Sequence, residues 1–291
     1  MSRNESKEEK VLACVDQSPY ADHVVDYAAW AAQRIGLPLE ILNIIDRHPE
    51  VARDHDHSGA IGIDAQEQLL TTLSESDEAR SRAAREQARV FLQRLRERAE
   101  AAGATQTDTR LRLGELQTTL SEQEERVSLF VLGRRGKSAA QTQRDLGRNV
   151  ERVIRSLQKP ILAVTDNFSE PRSALLAFDG GSVTRRGVKM IAESKLFRGM
   201  PVHLLMSGKP SRDAAKQLDW AQKVLTDAGY EAPAELIPGD AERVIANQLD
   251  TQGIDLLVMG AFGHSIFRSF LLGSKTADLL RSARVPPLLL R

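Results

Sequence analysis

Cysteine is nearly absent from this 291-residue chain: Cys14 is the only one. An intrachain disulfide, a CxxC redox pair and a multi-cysteine zinc site are thereby excluded. Cys14 lies inside Val11-Leu12-Ala13-Cys14-Val15 and reads as a small buried strand residue. Aromatic residues are scarce as well, at 4%, so the core must come from Leu, Ile, Val and Ala. Net charge is missing: 40 Lys+Arg balance 40 Asp+Glu. That removes the general positive field on which nucleic-acid or anionic-membrane binding rests. No apolar run approaches the ~18 residues of a membrane span. The charged start Met1–Lys10 precedes too short an apolar stretch for a signal peptide. The expectations are no nucleic-acid partner, no membrane span and a cytoplasmic location.

What the chain does contain is an ordinary globular balance of 41% apolar and 27% charged residues. Its length points to two domains at roughly 150 residues each. It also repeats itself. The apolar run Val11–Val15 leads into Asp16-Gln17-Ser18-Pro19, a helical pattern to Ile35, Gly36-Leu37-Pro38, and a second run, Leu39–Ile45. Ser18 is the expected N-cap, Pro19 stands in the first turn, and Gly36 is the expected C′ residue. The same unit returns as Ala174–Phe178, Asp179-Gly180-Gly181-Ser182, a helical stretch to Phe197, Gly199-Met200-Pro201 and Val202–Met206. Asp16 to Ile44 is 28 residues, and so is Asp179 to Ser207. Each half continues with a strand (Thr107–Leu113 in the first), then Gly114-Glu115 or Gly239-Asp240, a helix, and a strongly apolar strand. Those strands are Leu129–Leu132 and Leu256–Met259. A glycine-bearing loop, a helix and a last strand follow, Pro160–Val164 and Pro286–Leu290. Strands alternating with helices call for parallel sheets under helical cover.

The halves differ in one block. Ile44 to Gly103 is 59 residues, whereas Ser207 to Gly229 is 22, so the first half carries about 37 extra. This insertion covers about 48–81. It holds His48, His55 and His57 beside Asp54 and Asp56, which could bind a metal or form a solvated loop; no Cys or HExxH spacing supports the metal. From about Glu75 to Ala102 the pattern is a long amphipathic helix with a solvated face. The polar stretch Asp166–Arg172 joins the halves and sets the boundary: 1–168 and 172–291.

Several loops are false leads. Gly133-Arg134-Arg135-Gly136-Lys137-Ser138 lacks the spacing of a P-loop, and there is no G-x-G-x-x-G and no G-x-S-x-G. The loop after Leu256–Met259 is different. Gly260 and Gly263 let the backbone turn sharply beside a ligand. Nine residues on, Gly273-Ser274 opens a helix whose free N–H groups favour an anion, with Ser274 as N-cap or as hydroxyl donor to phosphate. Taken alone, these glycines could equally be turns.

Gly260, Gly263, Gly273 and Ser274, spaced Gly, two residues, Gly, nine residues, Gly-Ser, match the motif of the universal stress protein family, as Asp16 and Asp179 match its aspartate after the first strand. The chain resembles a tandem member over nearly its whole length. The resemblance implies an α/β fold of two flavodoxin-like (nucleotide alpha-hydrolase-like) domains. Each would be a five-stranded parallel sheet with helices on both faces and strand order 3-2-1-4-5. Ligands in such sheets bind beyond the strand C-termini where the order reverses, which puts Asp179 opposite Gly260. The implied cofactor is ATP, with or without Mg. Asp179 would face adenine or ribose, and Ser207 would meet adenine through its backbone, although the family often has a small hydrophobe there. Gly260 and Gly263 would line ribose and phosphates; Gly273, Ser274 and Lys275 would hold the phosphates. His264 is either a phosphate contact or an ordinary surface histidine. Asp179 has a second reading, as turn former before Ser182.

The first half departs from the motif. Ten residues separate Gly136 from Gly147, and Arg148 replaces the small hydroxyl. The expected function is that of an adenine-nucleotide-binding stress-response sensor or regulator, with the site in the second half and an unknown protein partner. No general base stands beside a nucleophile, so ATP hydrolysis is expected to be slow at most. Two alternatives are an adenylating alpha-hydrolase-type enzyme and a nucleotide-free module in which the insertion and its helix form a cleft for a lipid or other apolar ligand. Family members commonly pair through the last strand. In this chain Pro160–Val164 and Pro286–Leu290 are therefore expected to pair internally as a pseudo-dimer, with a homodimer as the other option.

Overall fold

A computed structural model describes residues 9–45, 63–134, 148–164, 167–261 and 284–291, and of 63–81 and 148–150 the backbone only. The first half runs β1 (Lys10–Val15), α1 (Ala21–Ile35), β2 (Leu39–Ile45), α2 (Ile63–Ala101), β3 (Thr107–Leu113), α3 (Leu116–Gln123), β4 (Val127–Gly133), α4 (Arg148–Ser156) and β5 (Ile161–Val164). The second runs β6 (Ala174–Ala177), α5 (Ser182–Glu193), β7 (Val202–Ser207), α6 (Arg212–Asp227), β8 (Ala234–Ile237), α7 (Ala241–Thr251), β9 (Leu256–Gly260) and β10 (Pro287–Leu290).

The strands form one sheet in the order β3-β2-β1-β4-β5-β10-β9-β6-β7-β8. Each half is a parallel 3-2-1-4-5 array, as the resemblance implies. The expected pairing of the last strands is present: β5 and β10 run antiparallel, with Leu162 opposite Leu288 and Ile161 opposite Leu289. Leu162 and Leu288 are counterparts, since Gly133 pairs with Val164 and Gly260 with Leu290. Each thus faces its own equivalent, and a pseudo-two-fold axis passes through that pair.

Side-chain alternation along the strands sends alternate residues to opposite faces. One core holds Val11, Ala13, Ile41, Val131, Leu176, Val258 and Leu288 under α1, α2, α5 and α6. The other holds Leu12, Leu42, Phe130, Leu175, Leu257 and Leu289 under α3, α4 and α7. Both cores run continuously across the β5–β10 seam. The segment after β5 is docked rather than free: Phe168 packs edge-on against Tyr27 at 4.8 Å, and the Tyr27 hydroxyl donates to the Asn167 carbonyl at 3.1 Å. Arg34 Nε donates to the Leu196 carbonyl at 2.8 Å, tying α1 to the other half.

Local readings shift in four places. Ser18 is not the N-cap. Asp16 Oδ1 accepts the Ser18 N–H at 3.2 Å in an Asx-type turn, and the helix starts at Ala21, whose N–H reaches the Ser18 carbonyl. Gly36 does end α1, with φ at 80°. The long helix begins at Ile63 rather than near Glu75, because the later part of the insertion continues α2 instead of forming a loop. The helix after Asp179 stops at Glu193, where Ser194 caps a separate 3-10 turn, Lys195–Phe197. Cys14 is only partly exposed; burial, then the charge of Asp16, pushes its thiol up to about 12.

Candidate functional site

The second half brings three neighbouring strand ends together. Ala177 pairs with Met259 on one side and Leu205 on the other. Two residues past the end of β6, Asp179 therefore lies beside the ends of β9 and β7, where Gly260 and Ser207 stand. From β6 the order runs through β7 and β8 one way and through β9 and β10 the other. Asp179, Ser207 and Gly260 thus sit at a point of reversal on the carboxyl edge.

The Asp179 loop is built as a fixed turn. Asp179 Oδ1 accepts from the Gly181 N–H at 2.8 Å and the Thr184 hydroxyl at 2.6 Å. The turn-forming role is therefore real, and no hydrogen bond from a described residue engages Oδ2. Gly180 takes φ +75°, and a Cβ there would meet Gln217 Oε1 at 1.5 Å. Glycine is required on both counts. Gln217 is held in turn by Asp213, at 2.7 Å. Arg185 Nε donates to the Gly180 carbonyl at 2.9 Å, and its guanidinium stacks 4.7 Å over Trp220, which itself stacks on Phe178. A Cβ on Gly260 would come within 3.2 Å of Val183, so β9 ends tight against α5. The chain then leaves with the Ala261 N–H bonded to the Leu290 carbonyl at 2.6 Å. Gly263, His264, Gly273, Ser274 and Lys275 lie outside the described residues.

Thr184, Arg185 and Gln217 escaped the sequence reading. Thr184 carried a local signal, a hydroxyl five residues after the aspartate. Gln217 and Arg185 act across helices and left none.

The first half repeats the aspartate turn and little else. Asp16 accepts from Ser18, but Ala21 replaces Thr184 at the matching place. The buried Asn43 amide donates to the Val15 carbonyl at 2.8 Å, where the second half has Met206 and Phe178. Arg134 N–H binds the Val164 carbonyl as Ala261 binds Leu290. Gly136, Lys137, Arg144 and Gly147 lie outside the described residues, as do His48, His55 and His57. Among the described residues no group of three or more His, Cys, Asp or Glu is placed to hold a metal.

Residues 48–62 of the insertion lie outside the described residues. Between α2 and β3 runs a groove of about 410 Å³ whose lining includes Arg82, Arg85, Glu86, Arg89, Leu92 and Leu111. Among the described residues no helix is long and apolar enough to cross a membrane.

A doubly wound sheet with an aspartate turn and a glycine-terminated strand at its reversal is the architecture of an α/β protein of the flavodoxin-like type. The family model for universal stress proteins matches residues 8–165 and 203–291. The chain belongs to the universal stress protein family. It is 33% identical to universal stress protein Slr1230 of Synechocystis, over 97% of this chain and 99% of that one. The crystal structure of a universal stress protein from Archaeoglobus fulgidus superposes with a TM-score of 0.70 at 17% identity, covering 98% of this chain and 97% of its own. A shorter universal stress protein from Archaeoglobus fulgidus, solved in complex with dAMP, covers 42% of this chain and 98% of its own at 20% identity, with a TM-score of 0.33. The second matched segment starts at residue 203, so Ser207 and the whole glycine motif fall inside it and Asp179 outside.

Proposed function

We propose that this protein is a cytoplasmic stress-response sensor or regulator that binds one ATP, with or without Mg, in its second half. The observation that carries this reading is the gathering of Asp179, Ser207 and Gly260 at the reversal point, immediately ahead of the Gly-x2-Gly-x9-Gly-Ser segment. Asp179 Oδ2, with no described partner, suits a ribose hydroxyl or an adenine amine. Ser207 offers backbone groups at the end of β7. Gly260 and Gly263 give close approach, His264 flanks the phosphates, and Gly273, Ser274 and Lys275 hold them by N–H groups, a hydroxyl and a cation. The division into 1–168 and 172–291 belongs to the same reading, with the first half lacking the hydroxyl at Arg148.

Titration calorimetry with ATP tests it. The expected stoichiometry is about one per chain. Gly263→Val removes phosphate hydrogen bonding worth about 1.5–3 kcal/mol, or roughly 10- to 150-fold in affinity, while Gly136→Val leaves binding intact. Two equal sites, or loss through Gly136 alone, would overturn the assignment, as would no ATP binding to the unmodified protein. Mass spectrometry of the protein as purified gives an independent check, with an adenine nucleotide expected and a lipid counting against the proposal.

A further inference from the structure

The two outer strands of the sheet are not alike. β8 has four residues, whereas β3 has seven and, among the described residues, pairs over its whole length with β2 on one side only. The Gln106 carbonyl and the Gly114 N–H both face β2, bonded to Leu39 and Ile45. Backbone direction alternates along a strand. Thr107, Thr109, Leu111 and Leu113 therefore turn their N–H and C=O groups to the outer edge. The side chains of Thr109 and Leu111 line the groove beneath α2, with Arg82, Arg85 and Arg89. The opposite face of the strand carries Arg110 and Arg112; Arg110 reaches Glu40 at 3.4 Å, and Arg112 is exposed. Arg89 is 81% exposed and has only a loose 3.7 Å pair with Glu86. In a chain of zero net charge, this edge is a local concentration of positive charge.

A long open edge is an aggregation hazard that proteins normally blunt. One blunting device is present: Asp108 Oδ1 accepts the outward Thr109 N–H at 2.8 Å. The arginines are a second, because a β3 strand from another copy would bring like charges into register. The Asp108 contact obstructs any incoming strand at Thr109, whereas the arginines repel this chain's own edge and favour an acidic one.

The geometry points to β3 as a docking edge for an extended acidic segment of a partner protein, added as a further strand beside Thr107–Leu113. The backbone groups of the edge demand a polypeptide, since neither a lipid headgroup nor a nucleic acid offers the matching alternation of N–H and C=O. The arginines select carboxylates, and Leu111 and the 42%-exposed Leu113 accept interleaved apolar side chains. This inference is independent of the nucleotide site, which lies in the other half.

Fluorescence anisotropy with the full-length protein and a capped peptide of alternating glutamate and valine tests it. Arg85→Glu/Arg89→Glu should weaken binding by about tenfold or more, and the Gln/Gln pair by less. Asp108→Ala, which frees the Thr109 N–H, should tighten it. N-methylation of every second peptide residue should abolish binding in one phase and spare it in the other. Hydrogen exchange should slow at the β3 amides. No binding, indifference to charge reversal, protection confined to other strands, or the same protection from anionic phosphatidylglycerol vesicles would each overturn the proposal.

Discussion

The junction between α1 and α2 and the junction between α5 and α6 occupy the same place in the two halves and are tied by different chemistry. In the first half, Arg94 forks onto Asp22 at 2.7 and 3.0 Å, and Arg98 onto Asp26 at 2.7 Å through both Nε and Nη2. Asp16 and Asp179 set one correspondence between the halves and Gly103 and Gly229 the other, so Asp22 matches Arg185 and Arg94 matches Trp220. The two-pronged ion pair has become a cation over an indole. The buried faces of α2 and α6 do correspond: Leu92, Leu95 and Ala99 against Leu218, Ala221 and Leu225. Packing sets the junction, and the polar tie at its rim is interchangeable. The ties differ in reach. Arg185 also holds the Gly180 carbonyl, so the second-half tie braces the aspartate loop, whereas the first-half tie braces only helices.

The largest expected difference in stability lies in the core. Gly187 faces Leu290, and a Cβ on it would fall 2.4 Å from Leu290 Cδ1; the matching residues in the first half are Val24 and Val164, both buried. Gly187→Val should destabilise by about 1–3 kcal/mol through overpacking. Adding Leu290→Val should recover much of that, read by urea unfolding; additive losses would mean that the halves do not exchange volume in this way. Next comes the ionic tie. Asp26→Ala should cost about 1 kcal/mol, since Arg98 is partly solvated, and the loss should shrink in high salt. Arg185→Ala should cost a similar amount or less, depend little on salt, and speed exchange at the Gly181 amide.

Acid should separate the halves more gently. The Arg94 hydrogen bond holds the Asp22 carboxyl below its ordinary range. A lowered carboxyl pKa stabilises the fold above the unfolded value of about 3.9 and loses that contribution as pH falls through the lowered one. Arg94 and Arg98 are raised by their carboxylate partners and stay charged throughout. Below pH ~4, amides of α2 should therefore exchange faster before those of α6. The smallest effect is expected from deleting His48–Gln68. Loop closure changes by only about 0.6 kcal/mol per doubling of length. The variant should stay soluble, with a slight loss of helical signal because its end trims the start of α2. An insoluble product would make the insertion part of the core.

The repeat was legible because it is arithmetic: equal spacings from Asp16 and from Asp179 placed strands, turns and strand ends before any geometry. β3 was read residue for residue, Thr107–Leu113, from its bounding turns. The start of α2 was not, since the stretch from Ile63 to Glu78 lacks a sustained apolar period and helices are recognised by that period. Ser18 has the chemistry of a cap, but α1 starts at Ala21 with Tyr20 at its N-cap position, two residues beyond Ser18. At the candidate site, Asp179, Ser207 and Gly260 are legible through the family resemblance, which carries its contacts onto positions at or just past strand ends. Gln217 is not, because its contact with Gly180 joins residues 37 apart through tertiary packing.

The antiparallel seam between β5 and β10 has a further consequence, one of inheritance. In an assembly of two identical chains, every substitution enters twice, once on each side of the axis. Here Leu162 meets Leu288 as such an assembly would have it, but each side is written by its own stretch of sequence. A change in one half is never imposed on the other, and the two can never be present in unequal amounts. The chain keeps the architecture of a symmetric pair while allowing each half its own mutational history: Asn43 against Met206, Val24 against Gly187, an ion pair against an indole.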